Sequence, residues 1–293
     1  MSNIYNALAY GKINLHLDVL DKMENGYHNI ESVMQSVSLA DEITLEISNI
    51  NTDENLIEVI SSNSKIPTDK TNLVYKCADK FLRTTGISGK HCLFSIEKNI
   101  PVAAGMAGGS SDGATALKLI NEACGNLLSH NELCKLGATI GADIPFCLTG
   151  GTCICKGIGD DITQIKRLKN VYLVSAIDFS SVSTPYAFSL LDNAYGTNMI
   201  SPKGLTDIVK AIENENVKDV ASFLYNKFED VIIPLNQNVG KIKDIMLRCG
   251  ALGALMSGSG PSVFGIFLDE ISQKNALNEL KNCSINAFLC KTI

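Results

Sequence analysis

From Lys12 to Val19 polar and apolar residues alternate strictly, which predicts a β-strand with one apolar face. Lys12, Asn14, His16 and Asp18 share the opposite face. Four polar side chains in a row suit a solvent-facing surface or the wall of a cleft, and the pattern leaves both open. The alternation recurs at Ile43, Leu45 and Ile47, and again at Cys92, Phe94 and Ile96, giving two further strands. Between them, residues 72–83 carry Leu73, Val74, Cys77, Ala78, Phe81 and Leu82 at helical spacing. Gly26, Tyr27 and His28 lie in a turn-rich stretch.

Small and apolar residues from Gly113 to Cys124 predict a buried helix, and a second runs from Asn131, as its N-cap, to Ile140. Residues 141–145 interrupt the pattern before a strand near 152–155. Gly157, Gly159, Asp160 and Asp161 mark a turn close to a domain boundary, so two domains are expected, 1–160 and 161–293. Beyond that turn the spacing predicts a strand at 171–177 and helices near 184–192, 203–213, 217–226 and 238–248. Strands at 252–256 and 262–268, a helix near 270–281 and a strand near 284–290 follow. Runs of strands and helices without regular βαβ alternation indicate an α+β fold.

The 293 residues are 45% hydrophobic and 19% charged, an ordinary globular composition. A net charge of −6 argues against the clustered basic face that nucleic-acid binding needs. Ten scattered cysteines without a C-x-x-C, and four histidines without ligand spacing, argue for buried thiols and against a metal site. No signal-peptide pattern and no apolar run of ~20 residues occurs, so a cytoplasmic protein without a membrane partner is expected. Oligomeric state leaves no mark in the sequence.

The most unusual segment is Pro101, Val102, Ala103, Ala104, Gly105, Met106, Ala107, Gly108, Gly109, Ser110 and Ser111. Residues this small let backbone N–H groups approach an anion, and Ser110 or Ser111 as a helix cap would add the positive helix end. The segment is not a Walker A loop, since G-x-x-x-x-G-K-[ST] is absent from the chain. Asp143, in an apolar neighbourhood, suits either a proton acceptor or a turn-capping carboxylate. Lys12 suits a phosphate contact or plain surface charge. Tyr27 and His28 offer an aromatic face beside a donor and acceptor pair, or a simple turn. Ser257 to Pro261 reads as a second anion nest or a tight turn.

Three segments in this order resemble the motif plan of the galactokinase, homoserine kinase, mevalonate kinase and phosphomevalonate kinase (GHMP) superfamily. They are the N-terminal Ala9 to Leu15, the central Pro101 to Asp112 and the late Gly258 to Pro261. Within it, Asn25 to Asn29, Val33 to Ser36, Asn72 to Val74, Gly141 to Pro145 and Val182 to Thr184 resemble the kinases of cytidine-diphosphate-linked methylerythritol. The resemblance spans nearly the whole chain. It implies a two-domain α+β kinase fold with the active site in the interdomain cleft. It also implies transfer of the γ-phosphoryl group of ATP to the tertiary 2-hydroxyl of that substrate, with Mg²⁺ held mainly by the nucleotide. By position it implies a catalytic pair, Lys12 and Asp143, with Asn14 on the same strand face as Lys12. Residues 101–111 match the ATP loop, and Asn72, Leu73 and Lys98 fall around the adenine. Tyr27 and His28 match cytosine contacts, with Thr184 and Phe188 completing that pocket. Three positions depart from the pattern: Ala107 replaces a common glycine, Gly113 a usual alanine, and Met34 an aromatic residue of some members, at one wall of the substrate pocket.

Overall fold

The computed structural model describes residues 2–177, 182–196, 199 and 204–293. Strands β1 (Asn3–Lys22), β2 (His28–Asn49) and β3 (Leu56–Ser61) precede helix α1 (Leu73–Thr85) and strand β4 (Lys90–Glu97). Helices α2 (Gly108–Ala123), α3 (His130–Ala138) and α4 (Ile144–Thr149) come next, then strands β5 (Thr152–Lys156), β6 (Asp161–Gln164) and β7 (Tyr172–Ile177). Helices α5 (Thr184–Tyr195), α6 (Leu205–Glu213) and α7 (Val217–Ser222), strand β8 (Tyr225–Asn226) and helices α8 (Glu229–Ile232) and α9 (Gln237–Arg248) follow. Strands β9 (Gly253–Met256) and β10 (Ser262–Phe267), helix α10 (Glu270–Asn282) and strand β11 (Asn286–Lys291) end the chain.

These elements form two compact units that interleave along the sequence. One takes in the chain up to Gly11, Leu39–Val102 and Ala107–Thr149; the other takes in Lys12–Ser38, Ala103–Met106 and the described residues from Gly150 onwards. The sequence suggests a single boundary after residue 160, but β1 and β2 are each long enough to contribute residues to both units.

In the first unit, β2 pairs antiparallel with β4 from Glu42↔Glu97 to Asn49↔Lys90, and β3 pairs parallel with β4. Ile43, Leu45 and Phe94 meet Phe81 of α1 and Leu117 of α2 in one buried cluster. The Asn72 side chain caps α1, accepting the Val74 N–H at 2.8 Å, so this residue does structural work at a position the resemblance gives to adenine. Gly113 lets α2 lie close to α1. A methyl group there would press on Cys77 Sγ at 3.0 Å, which explains glycine where alanine is usual.

In the second unit, β11, β7, β10 and β9 make a four-stranded antiparallel sheet. Val174, Val263 and Phe267 of that sheet share a core with Ile242 and Met246 of α9, Leu280 of α10, and Leu17 and Val19 of β1. The first half of β2 pairs with β5, which pairs with β6, and β8 runs parallel to β1 at His16↔Tyr225.

Several boundaries differ from the sequence pattern. Helix α3 is capped by Ser129 in a capping box with Glu132, two residues before Asn131. Residues 217–226 divide into α7 and the short β8, and residues 161–164 form a strand after the expected turn. Lys203, where a helix was expected to begin, lies outside the described residues, and α6 starts at Leu205. The ten cysteines are unbridged; five are buried, four are half-buried and Cys283 is exposed, so burial does not extend to all of them. Among the described residues no helix is long and apolar enough to cross a membrane.

Candidate functional site

The polar face of β1 is buried. Lys12, Asn14, His16 and Asp18 are all enclosed, which removes the solvent-facing alternative for this stripe. Lys12 Nζ donates to Asn14 Oδ1 at 2.8 Å, and Asn14 Nδ2 donates to Ser32 Oγ at 2.9 Å. The Asn14 N–H donates to Ser257 Oγ at 3.3 Å, and Ser257 Oγ donates to the Gly105 carbonyl at 3.1 Å. The Lys12 N–H meets the Met106 carbonyl at 3.0 Å. Lys12 is therefore anchored by backbone and side chain, and residues 103–106 are tied to the same network.

Residues 257–261 are a tight turn, closed by the Gly260 N–H on the Ser257 carbonyl at 3.0 Å, and the turn touches Gly105. Gly105 has φ +73°, and a Cβ there would sit 2.5 Å from the Ser257 carbonyl oxygen. Both the left-handed backbone and the close approach call for glycine. Gly105→Ala should therefore destabilise the protein by about 2–4 kcal/mol in urea unfolding. A variant as stable as wild type would show that the turn yields freely to the loop.

In the first unit the loop leads directly into α2. The helix begins at Gly108, five residues earlier than the sequence pattern suggests, because glycines do not block a helix whose next turns are well packed. Ala107 occupies the N-cap position with φ 55° and makes no side-chain cap. Ser110 and Ser111 are thus inside the first turn, a correction to their expected capping role; Ser111 Oγ instead donates to the Tyr10 carbonyl at 2.7 Å. Helix geometry leaves the N–H groups of Gly108, Gly109 and Ser110 without a carbonyl of their own helix. Ala107 sits in left-handed backbone, the conformation glycine adopts at least cost, which accounts for glycine being common there. Pro101 is half-buried, Val102 is exposed, and Leu73 packs beside Gly109.

Lys98 is 3% exposed in its side chain and lies between two buried carboxylates. It donates to Asp41 and, at 2.8 Å, to Asp112 Oδ2. Asp41 also accepts the N–H groups of Asn99 and Ile100. Asp112 Oδ1 is buried without a hydrogen-bond partner. Burial pushes the Asp112 carboxyl up to about 7, against the opposing pull of Lys98 and with help from Asp41. The ammonium that the resemblance places around adenine is thus engaged by carboxylates. Asp143 is half-buried just before α4, and its carbonyl accepts the Cys147 N–H at 3.0 Å.

The second unit holds a cavity of about 400 Å³ lined by Tyr27, His28, Thr184 and Phe188, together with Lys22, Gly26, Ile158, Pro185, Ser189 and Asp192. That size falls in the range of small-molecule sites. The four residues named from the sequence converge here. His28 stacks on Phe188 with ring centroids 4.4 Å apart at 13°, and Phe188 meets Phe228 edge-on at 5.0 Å. Thr184 Oγ1 and Ser259 Oγ share a hydrogen bond of 3.0 Å. Tyr27 is 61% exposed at the rim. Met34 is buried and is not among the residues that line this cavity.

Sequence reasoning missed Asp192 and Lys22. Asp192 was within reach, because Thr184, Phe188 and Asp192 are four residues apart and share one helix face. Among the described residues no group of three or more His, Cys, Asp or Glu could hold a metal ion.

Models of the GHMP kinases N terminal domain and the GHMP kinases C terminal region match residues 72–151 and 208–286. A 4-diphosphocytidyl-2-C-methyl-D-erythritol kinase from Clostridium novyi is 41% identical over 97% of this chain and 99% of its own length. One from Caldicellulosiruptor saccharolyticus is 40% identical over 93% and 91% of the two chains. A solved 4-(cytidine 5'-diphospho)-2C-methyl-D-erythritol kinase superposes with a TM-score of 0.81 at 25% identity, covering 98% of this chain and 99% of that one.

Proposed function

Because the chain belongs to the GHMP kinases, and within them to the 4-diphosphocytidyl-2-C-methyl-D-erythritol kinases, we propose that it phosphorylates the 2-hydroxyl of the cytidyl substrate with ATP. This is a step of the non-mevalonate isoprenoid pathway, and we place it in the cytoplasm. The observation that carries the reading is the cavity in which Tyr27, His28, Thr184 and Phe188 come together. An aromatic stack with polar edges suits a planar base, and neither homoserine nor mevalonate has one.

In this reading Asp143 takes the proton of the tertiary hydroxyl as its oxygen attacks the γ-phosphorus, and ADP departs. Lys12, held by Asn14, counters the charge that gathers on the transferred group. The open N–H groups of Gly108, Gly109 and Ser110 bind phosphate oxygens, with residues 101–107 shaping the approach. Leu73, Asn72 and Lys98 support the adenine side through the packing and ion pairs described above. Mg²⁺ bound with ATP would be held mainly by the nucleotide and would supply charge neutralisation at the phosphates.

The base-reading role is tested by steady-state kinetics. Wild type should strongly prefer the cytidyl substrate over its uridyl analogue, since a mismatched edge leaves buried groups unpaired at ~1–3 kcal/mol each. His28→Ala should lower kcat/KM for the cytidyl substrate by roughly 10–100-fold, mostly through KM, because the base is remote from the reacting oxygen. An unchanged KM and base preference would mean that the cavity holds something other than cytosine.

A further inference from the structure

The geometry points to Ser32 as a positioning residue for phosphoryl transfer, one that holds the Asn14 amide in the orientation that presents an acceptor to Lys12. This rests on the reading of Lys12 as the charge that faces the transferred group.

Ser32 is fully buried on β2, where its backbone pairs with Cys155 of β5. Its hydroxyl carries one proton, which it donates to the His16 carbonyl at 2.7 Å. The oxygen therefore meets its next neighbour as an acceptor. Asn14 Nδ2 takes that place at 2.9 Å, and the other end of the amide, Oδ1, accepts from Lys12 Nζ at 2.8 Å. An ammonium can only donate, and a hydroxyl whose proton is committed can only accept. A turned amide would set donor against donor at Lys12 and acceptor against acceptor at Ser32. The result is a one-way chain from Lys12 through Asn14 and Ser32 to a backbone carbonyl of β1, the strand that carries Lys12 itself.

Lys12, Asn14 and His16 are buried with Ser32, so an unmatched Nδ2 would be costly. Without the Ser32 hydroxyl the amide turns toward another acceptor. Ser257 Oγ is at hand, 3.5 Å from Asn14 Oδ1, and already takes the Asn14 N–H at 3.3 Å. An amide drawn to Ser257 through Nδ2 withdraws Oδ1 from Lys12, and the ammonium loses its set position. A small displacement of a group that acts on the transition state is costly in rate and changes ground-state binding little. A serine that served packing alone would instead give way to alanine with no change in rate.

Steady-state kinetics separate these cases. Ser32→Ala should lower kcat by about 10–100-fold, with KM for ATP and for the cytidyl substrate within about 3-fold of wild type. Ser32→Thr, which keeps the hydroxyl, should regain most of kcat. Ser32→Cys, whose thiol is a weak acceptor, should stay slow, and it serves where the alanine variant does not fold. The chain also predicts a coupling: Asn14→Ala should be slow by itself, and adding Ser32→Ala to it should cost less than about 2-fold more. Wild-type kcat in Ser32→Ala or Ser32→Cys overturns the proposal. So does a Ser32→Thr variant no faster than Ser32→Ala, or a Ser32→Ala loss that persists in full beside Asn14→Ala. These outcomes leave the reading of Lys12 standing when Lys12→Met is slow. Lys12→Met with wild-type kcat removes that reading and this proposal together.

Discussion

Asp143→Asn should keep the fold and bind ATP normally while kcat falls by about 10²–10⁴-fold, the range of a lost general base. The substitution preserves the shape of a half-buried side chain at the entry to α4 and removes its charge and its capacity to take a proton. The carbonyl that accepts the Cys147 N–H is backbone and is untouched, so α4 should start as before. A tertiary alcohol is a poor nucleophile, which is why the missing acceptor is costly. Calorimetry with ATP and turnover at saturating substrate separate the two effects. Near-normal kcat would remove Asp143 from the role of base.

Lys98→Met should destabilise the protein by about 3–5 kcal/mol, the cost of leaving buried carboxylates without their cation. Asp41 would retain the N–H groups of Asn99 and Ile100, but Asp112 would lose the partner of Oδ2 while Oδ1 already has none. The effect depends on pH in a definite direction. A carboxyl raised in the folded state contributes stability that is full below its ordinary range and is lost as pH rises through the folded value. For Asp112 that window runs from near 4 to about 7. The cost of Lys98→Met should accordingly be larger in urea unfolding at pH 9 than at pH 5, and Asp112→Asn in the same chain should recover part of it. A loss under 1 kcal/mol at both pH values would mean that water already reaches the cluster.

The sequence made some of this visible and concealed the rest for physical reasons. Strict alternation exposed the centre of β1, but not whether its polar stripe was wet; burial by Ser32, Ser257 and the residues around Gly105 decides that, and these lie far along the chain. The first half of β2 escaped notice because Ser32, Gln35 and Ser36 look like surface residues. They are buried and satisfied by distant groups, Gln35 by Thr152 Oγ1 at 2.6 Å and Ser36 by the Gly151 N–H at 3.0 Å. The glycine-serine segment was legible as a loop before a helix, yet the start of α2 was misplaced because glycine's low helix propensity is overridden by packing. The cavity residues Tyr27, His28, Thr184 and Phe188 could be named from motif resemblance alone. The cluster of Lys98, Asp41 and Asp112 could not, since Lys98 and Asp41 are 57 residues apart and no local pattern links them.

The most direct test of the central claim is ADP release by the purified protein with ATP and Mg²⁺, run in parallel on 4-diphosphocytidyl-2-C-methyl-D-erythritol, homoserine and mevalonate. The account predicts turnover with the cytidyl substrate and none above background with the other two. Turnover with homoserine or mevalonate in its place would contradict it.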